Sequence, residues 1–245
     1  MFDRWVSLNL VAINPTAGII KYSKDPERPR DAIPREVLPK LFPATHGELV
    51  RVWGSSLWAA LMLVLYDTGA RSGEPRAKRW SGYYPERAFF PIKEAIEGGT
   101  SATIKGTKSS GHKPGYLQAR TVQELAIWRA ESRFNRDDDF IFTLSGDAPI
   151  TTAAIGDAFK RALAHLGYKA TGWTPYWLRH SFVTYSMESL TEAEVMMLAG
   201  HSSKITDKIY QHPDDETLYR QSAGARKKLN AARSVRDAEP NRKKR

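Results

Sequence analysis

Residues 55–68, SSLWAALMLVLYDT, form the most apolar stretch of this sequence and decide the kind of fold. The run from Leu57 to Tyr66 is continuous, and it stops near Gly69, a residue that commonly ends helices. It does not approach the ~18 uninterrupted apolar residues that a membrane-spanning helix needs. The stretch therefore predicts a helix buried in the core of a soluble protein.

The segments around this helix alternate between short helical and extended patterns. Residues 35–42 predict a short helix, and a second short helix after Gly69 is expected to carry Arg71 and Glu74. Two strands, residues 101–105 and 115–118, should flank a hairpin loop rich in Lys, Ser and Gly. Residues 140–143 are expected to be extended, and further helices are predicted over residues 120–133, 152–165, 174–188, 191–200 and 207–211. The fold class is therefore α+β: mainly helical, with a small antiparallel β-sheet.

The two ends of the chain differ from its middle. Residues 1–13 predict one amphipathic helix, the end of another domain, and residues 14–34 hold four prolines and many charges without an apolar period. That composition is typical of a linker. The main domain is expected over residues 35–218. The basic tail, residues 219–245, is either an unstructured end or a mobile segment that docks on DNA or on a neighbouring protomer.

Net charge and cysteine content limit the classes of function that the sequence can have. Thirty-seven Lys and Arg against 27 Asp and Glu give a net charge of +10, which favours a polyanionic partner such as nucleic acid. A merely basic soluble protein is the alternative. The absence of cysteine excludes disulfides, a thiol nucleophile and zinc–thiolate sites. Asp3 and Arg4 interrupt the N-terminus before an apolar run develops, so we expect no secretory signal and a cytoplasmic protein.

Four short segments carry side chains suited to chemistry. In TGARSGE, residues 68–74, Glu74 lies three positions after Arg71 and can orient its guanidinium. The other three are IKGTKSSGHKPGYLQ (104–118), TPYWLRHSF (174–182) and LAGHSSKITDKIYQH (198–212). Taken singly, they have ordinary explanations: a surface ion pair, a solvated hairpin tip, a helix-terminal histidine and a half-buried tyrosine.

In combination, the four segments resemble the tyrosine recombinase (phage integrase) family. TGARSGE matches T-G-x-R-x-x-E, and YWLRHSF matches H-x-L-R-H-[ST]-F except at its first position. LAGHSS matches L-[AG]-G-H-[ST], and TDKIY, ending at Tyr210, matches the nucleophile segment. The resemblance covers roughly residues 34–215. It implies that residues 1–13 end a truncated N-terminal helical DNA-binding domain, and that the main domain is the catalytic one.

The resemblance also implies the chemistry. Tyr210 would attack a DNA phosphodiester and hold the 3′ end, while Arg71 and Arg179 bind the non-bridging oxygens. His201 would add a further hydrogen bond to the phosphate. A hairpin lysine would protonate the leaving 5′ oxygen, and Lys108 has the better spacing, whereas Lys105 stands in a K-G-x-K context that the family also uses. Arg, Lys and His supply all the positive charge, so no metal or other cofactor is expected.

Two departures from the family pattern bear on activity. Tyr176 stands where the family usually has histidine, and a phenol with a pKa near 10 is a poor proton acceptor at neutral pH. The neighbouring His180 is a candidate to compensate. The span from Arg71 to the hairpin lysines is also long for the family, so residues 80–99 are expected to hold an insertion.

The expected activity is metal-independent, site-specific cleavage and rejoining of double-stranded DNA by a prokaryotic or phage-encoded enzyme, as in integration or excision of a mobile element. On two paired DNA sites the protein would assemble as a homo-tetramer, and without DNA it would be a monomer or a weak oligomer. No membrane association is expected. Two alternatives stay open. One is strand relaxation of the type IB topoisomerase kind, and the other is a catalytically impaired DNA-binding accessory protein of the same fold.

Overall fold

Helices make up most of the computed structural model, which describes residues 2–15, 32–97, 103–106, 112–169, 171–200 and 215–238. The chain divides into two units, Met1–Arg30 and Asp31–Arg245. In chain order the helices are α1 (Phe2–Ser7), α2 (Leu38–Leu41), α3 (His46–Trp53), α4 (Ser56–Thr68), α5 (Gly73–Arg76), α6 (Ala119–Glu131), α7 (Thr152–His165), α8 (Tyr176–Ser186), α9 (Glu192–Ala199), α10 (Asp215–Gln221) and α11 (Ala223–Ala238).

Helix α4 is the centre of the larger unit, as its apolar sequence predicts. It is buried along nearly its whole length, and α3, α6 and α8 pack directly against it. Ser55 caps its first turn, and Gly69 ends it in the left-handed conformation (φ 58°). Glycine adopts that conformation at little cost, so the chain can turn sharply from the core towards Arg71.

Helix α3 was not predicted from the sequence. Thr45 accepts a hydrogen bond from the backbone N–H of Glu48 and caps the helix, and Gly54 ends it in a left-handed turn. Within the described residues, no single helix is long and apolar enough to cross a membrane. Helices α3 and α4 reach that length and composition only when taken together, with a 94° bend between them.

The predicted hairpin between residues 101–105 and 115–118 is wrong. The two strands are β1 (Glu94–Glu97) and β2 (Thr103–Gly106), which pair antiparallel with Glu94 opposite Gly106. Tyr116 instead forms an isolated bridge with Phe89. The strand predicted over residues 101–105 is therefore present as β2, but residues 89–97, and not residues 115–118, lie opposite it and the returning chain.

Both ends of the chain also differ from expectation. The helix predicted over residues 1–13 ends at Ser7, and Asn9 has a positive φ of 52°, a conformation that asparagine tolerates and that does not continue a helix. At the other end, the part of the tail that the structure describes is not unstructured, because α11 continues to Ala238 and buries Leu229. Arg233 donates to the backbone oxygen of Asp67 at the end of α4, at 3.2 Å.

The other helices lie close to the predicted positions. Helices α6, α7 and α9 are confirmed, and α9 begins with a capping box between Thr191 and Glu194. Helix α8 begins at Tyr176, two residues after the predicted start at residue 174. Residues 16–31, most of the predicted linker, and the helix predicted over residues 207–211 lie outside the described residues. The domain boundaries stay predictions.

Candidate active site

The two predicted arginines meet at the carboxyl end of α4. Arg71 follows Gly69 in the turn that leads to α5, and Arg179 reaches back from α8. Arg179 Nη1 donates to the backbone oxygen of Gly69 at 2.7 Å. Burial lowers the pKa of Arg179, and the nearby positive charge of Arg71 lowers it further. Two guanidinium groups far apart in sequence therefore share one electrostatic environment.

Glu74 orients Arg71, although not on a helix face as predicted. Helix α5 begins at Gly73, so Arg71 precedes it. The Glu74 carboxylate accepts the backbone N–H of Arg71 at 2.9 Å and its Nη1 at 3.1 Å. A carboxylate in the first turn of a helix commonly accepts hydrogen bonds from residues just before the helix, as Glu74 does here from Arg71. Glu74 is 2% exposed, whereas 40% of the Arg71 side chain is exposed.

Lys113 is the main component that the sequence analysis missed. It was expected at a solvated hairpin tip, yet its side chain is 2% exposed and its Nζ lies 2.7 Å from Glu74 Oε2. The same Nζ donates to the backbone oxygen of Ala199, at the end of α9, at 3.3 Å. Lysine is almost never fully buried unless it is paired. Nothing in the local sequence distinguishes this lysine from Lys105 or Lys108.

Gly200 completes the contact between Lys113 and α9. It ends α9 with a φ of 64°, and a Cβ atom there would lie 2.7 Å from Lys113 Cδ. The absence of a side chain at this position lets the lysine pass beneath the end of the helix. His201 follows directly in the sequence. Lys113 therefore joins the arginine-bearing turn to the segment that leads to the predicted histidine.

The cluster combines three cations, Arg71, Arg179 and Lys113, with the single carboxylate of Glu74. Burial alone would raise the pKa of Glu74. The opposing effects of Lys113, the Arg71 backbone N–H and Arg179 are larger together, so the pKa lies below its ordinary value. The carboxylate is therefore ionised at neutral pH. Burial also lowers the pKa of Lys113, to about 8, despite the attraction of Glu74. With Lys113 protonated, the excess of positive charge suits the binding of an anion.

The depressed lysine pKa values predict how stability depends on pH. Burial lowers the pKa of Lys78 to about 8 as well, from an ordinary value of 10.5. Between about pH 8 and the tyrosine range near 10, the unfolded chain then binds more protons than the native one, so the free energy of unfolding should rise with pH. Denaturant unfolding at pH 7 and pH 9 measures this rise. Lys78→Met and Lys113→Met should each flatten it, and an unchanged slope in both would contradict the prediction.

Tyr176 and His180 lie beside Arg179 on α8. The Tyr176 ring packs edge-on against the imidazole of His180 at 4.7 Å, and Tyr176 is 37% exposed. The hydroxyl of Tyr176 raises the pKa of Arg179 and so opposes the lowering effect of burial. Within the described part of the chain, Arg179 Nε and Nη2 are buried and have no hydrogen-bond acceptor. Buried donors of this kind are rare, and an added anion would satisfy them.

The remaining predicted residues are only partly placed. Lys105 lies on β2 opposite Ala95. Lys108, His201 and Tyr210 fall outside the described residues, and their roles stay predictions. Among the residues that the structure describes, no three His, Asp or Glu side chains cluster as ligands for a metal ion.

The chain is similar to several recombinases in sequence. It is 27% identical over 179 residues to an integrase of Streptomyces ambofaciens, and the match covers 64% of this chain and 45% of the relative. It is 28% identical over 163 residues to tyrosine recombinase XerC of Pediococcus pentosaceus, covering 65% of this chain and 50% of that protein. The chain thus spans about half the length of these curated relatives.

Solved structures share the fold at low sequence identity. The integrase of transposon Tn1549, in complex with transposon right end DNA, superposes with a TM-score of 0.66 at 16% identity, covering 94% of this chain and 75% of that one. XerA recombinase superposes with a TM-score of 0.53 at 18% identity, covering 80% and 65%. These likenesses confirm the mainly helical fold with a small sheet that the sequence predicts.

A family model also matches the sequence. The model described as the phage integrase family matches residues 41–217, which include the arginine-bearing turn, Lys113, α8 and the segment ending at Tyr210. The match covers more than half of the chain and confirms the resemblance drawn from the four short segments. The chain belongs to the phage integrase family.

Proposed function

We propose that this protein is a tyrosine-type DNA strand transferase, which cleaves and rejoins DNA through a 3′-phosphotyrosyl intermediate during site-specific recombination. The observation that carries the proposal is that Arg71 lies close to the buried Arg179. Within the described residues, Nε and Nη2 of Arg179 have no hydrogen-bond acceptor. The net charge of +10 and the relatives called integrase and tyrosine recombinase support DNA as the substrate.

The arginine cluster fits the charge that develops during phosphoryl transfer. Attack on a phosphodiester places additional negative charge on the non-bridging oxygens, and guanidinium groups bind such oxygens with charge-assisted hydrogen bonds. Arg179 is held by Gly69 and Arg71 by Glu74, so both donors are oriented before the substrate arrives. Donors fixed in advance stabilise a transition state without reorganising at the moment of reaction.

The covalent step follows from the residues of the family motifs. The hydroxyl oxygen of Tyr210 forms a bond to phosphorus, the bond from phosphorus to the 5′ oxygen breaks, and Lys108, or Lys105 in its place, protonates the departing oxygen. His201 donates a further hydrogen bond to the phosphate. Attack by the freed 5′ hydroxyl of a second strand reverses the step, releases Tyr210 and rejoins the DNA.

Tyr176 changes how the phenol proton of Tyr210 is removed. Its own hydroxyl can donate to the phosphate but accepts a proton poorly near pH 7. His180 packs against Tyr176 and supplies an imidazole, the side chain that most often acts as a general base, at this place. We propose that His180 assists the proton transfer for which the family usually has a histidine at the position of Tyr176.

Covalent trapping tests the proposed function. The protein is incubated with a labelled duplex that contains a candidate attachment site and a nick near the scissile phosphate, so that the cleaved strand cannot rejoin. We expect a protein–DNA adduct that survives denaturant. The matched variant Tyr210→Phe lacks only the hydroxyl oxygen and should form no adduct while it still binds the duplex.

The other outcomes separate the alternatives. Binding without any adduct would favour the DNA-binding accessory protein. An adduct formed by a protein that stays monomeric on paired sites and relaxes supercoils would favour the type IB topoisomerase kind of activity. An adduct formed by a tetramer on two paired sites would support recombination.

A further inference from the structure

The predicted insertion contains an ordered element, here called the anchor segment, residues 84–93. Its first part holds a short 3-10 turn, Pro85–Arg87. Tyr84 and Phe89 exchange backbone hydrogen bonds of 3.0 and 3.1 Å, which close the turn on itself. The backbone N–H of Phe90 donates to Gly115 at 2.8 Å, so the segment is tied to the chain that returns from the hairpin.

The anchor segment contacts the first residues of α10 through polar side chains. The hydroxyl of Tyr84 donates to Asp215 Oδ2 at 3.0 Å, and Lys93 Nζ lies 2.7 Å from Asp215 Oδ1. Arg87 Nη1 donates to Glu216 Oε2 at 2.6 Å. Both acidic residues at the start of α10 are therefore held by side chains of one segment.

Apolar packing joins the same two elements. Phe89 is buried and meets the ring of Tyr219 edge-on, with centroids 5.3 Å apart. Leu218 is buried in the same cluster. Tyr116, which bridges to Phe89 through the backbone, donates from its hydroxyl to the backbone oxygen of Tyr219 at 3.0 Å. The contact thus has a packed centre and a charged rim, the arrangement of a specific interface.

The position of α10 in the sequence gives this contact a consequence. Asp215 follows Tyr210 by five positions. A chain spans at most about 3.3–3.6 Å per residue, so fixing Asp215 confines the Cα atom of Tyr210 to within roughly 18 Å of it. At the other end, Lys113 holds Ala199, which precedes His201 by two positions. The segment with the proposed nucleophile is therefore tethered at both ends by described contacts.

We propose that the anchor segment is a positioning element for the nucleophile segment: it holds α10 and so limits where Tyr210 can lie relative to the two arginines. The proposal rests on the proposed function for the role of Tyr210, but the restraint itself does not require catalysis. It gives the insertion between Arg71 and the hairpin lysines a purpose in the reaction.

A spin label tests the restraint without any activity. The chain contains no cysteine, so Tyr210→Cys creates a unique site for a nitroxide. Partly exposed ion pairs are individually weak, so both charges are reversed together in Arg87→Glu/Lys93→Glu. We expect the label to become more mobile than in the chain that carries Tyr210→Cys alone, which narrows the lines of its spectrum.

Two further variants make the result specific. Asp215→Lys/Glu216→Lys in the same chain exchanges the charges across the contact and should return the label to its original mobility. Lys160→Glu/Arg161→Glu on the exposed side of α7 removes the same net charge elsewhere and should leave the spectrum unchanged. An unaltered spectrum in Arg87→Glu/Lys93→Glu, or no recovery in the exchanged variant, would overturn the proposal.

The same variants with Tyr210 intact test the consequence for the reaction. Arg87→Glu/Lys93→Glu should lower the maximal rate of adduct formation several-fold, the exchanged variant should recover it, and the half-saturating duplex concentration should change less than the rate. A mobile label with an undiminished maximal rate would overturn the positioning role. If the label responds as expected but the unaltered protein forms no adduct, the restraint stands and the proposed function is what fails.

Discussion

Replacing Arg179 with alanine should lower the rate of adduct formation by about 10²–10³-fold, the usual loss when one fixed donor to a developing negative charge is removed. A loss of this size is expected for Arg179 because its side chain is fixed in position before the substrate binds. Its Nη1 is held by Gly69, while Nε and Nη2 have no acceptor within the described residues. Single-turnover adduct formation on the nicked duplex, at saturating protein, measures the change.

The control for this variant is Arg179→Lys. A lysine retains the charge but not the planar fork of donors, so it should recover only part of the rate. Because Arg179 is buried, thermal unfolding and duplex binding must be measured on both variants, to confirm that a folded protein is compared. A folded Arg179→Ala protein with an undiminished rate would remove this arginine from the proposed transition state.

Replacing Lys113 with methionine should lower the free energy of unfolding by up to about 3–5 kcal/mol, because Glu74 loses its buried cationic partner and keeps the partly exposed Arg71. Methionine fills a similar volume, so the change isolates the loss of the ammonium group. The residue left behind is Glu74, which is 2% exposed. Denaturant unfolding at pH 7, where Lys113 with its pKa of about 8 is mostly protonated, measures the effect.

A second change separates this electrostatic effect from simple loss of packing. In the Lys113→Met background, Glu74→Gln removes the carboxylate charge that has lost its buried partner and should recover part of the stability, which a double-mutant cycle measures as coupling between the two sites. Lys160→Met, on the exposed side of α7, should alter stability by less than about 0.5 kcal/mol. Additive effects of the changes at Lys113 and Glu74 would contradict the buried ion pair.

The parts of the fold that local patterns determine were predictable from the sequence. Helix α4 follows from its apolar run, and α9 follows from Thr191 and Gly200 at its two ends. The pairing of the strands was not predictable, since it depends on which segments meet in space. The run around Phe89 and Ile92 carries no strict alternation, yet it becomes the central extended segment because it is bridged to residues 113–116.

The candidate site divides in the same way. Arg71, Glu74 and Arg179 were recognisable because their spacing matches a known set of motifs. Lys113 was not, because its burial results from three segments closing around it: the arginine-bearing turn, the hairpin return and the end of α9. A lysine that looks exposed from its neighbours in the sequence can be almost fully buried in a site, and only the assembled fold shows this.

The unequal exposure of the two arginines has a thermodynamic consequence for any anion that they bind. Arg179 is 1% exposed, so its side-chain entropy is lost when the protein folds and not when a ligand arrives. Arg71 keeps 40% of its side chain in solvent and is held through the Glu74 carboxylate, so completing its order on binding would cost part of the about 1.5–2 kcal/mol of a free arginine side chain. Affinity for the anion could therefore be raised with no new contact, by a substitution that restricts Arg71 in the free protein.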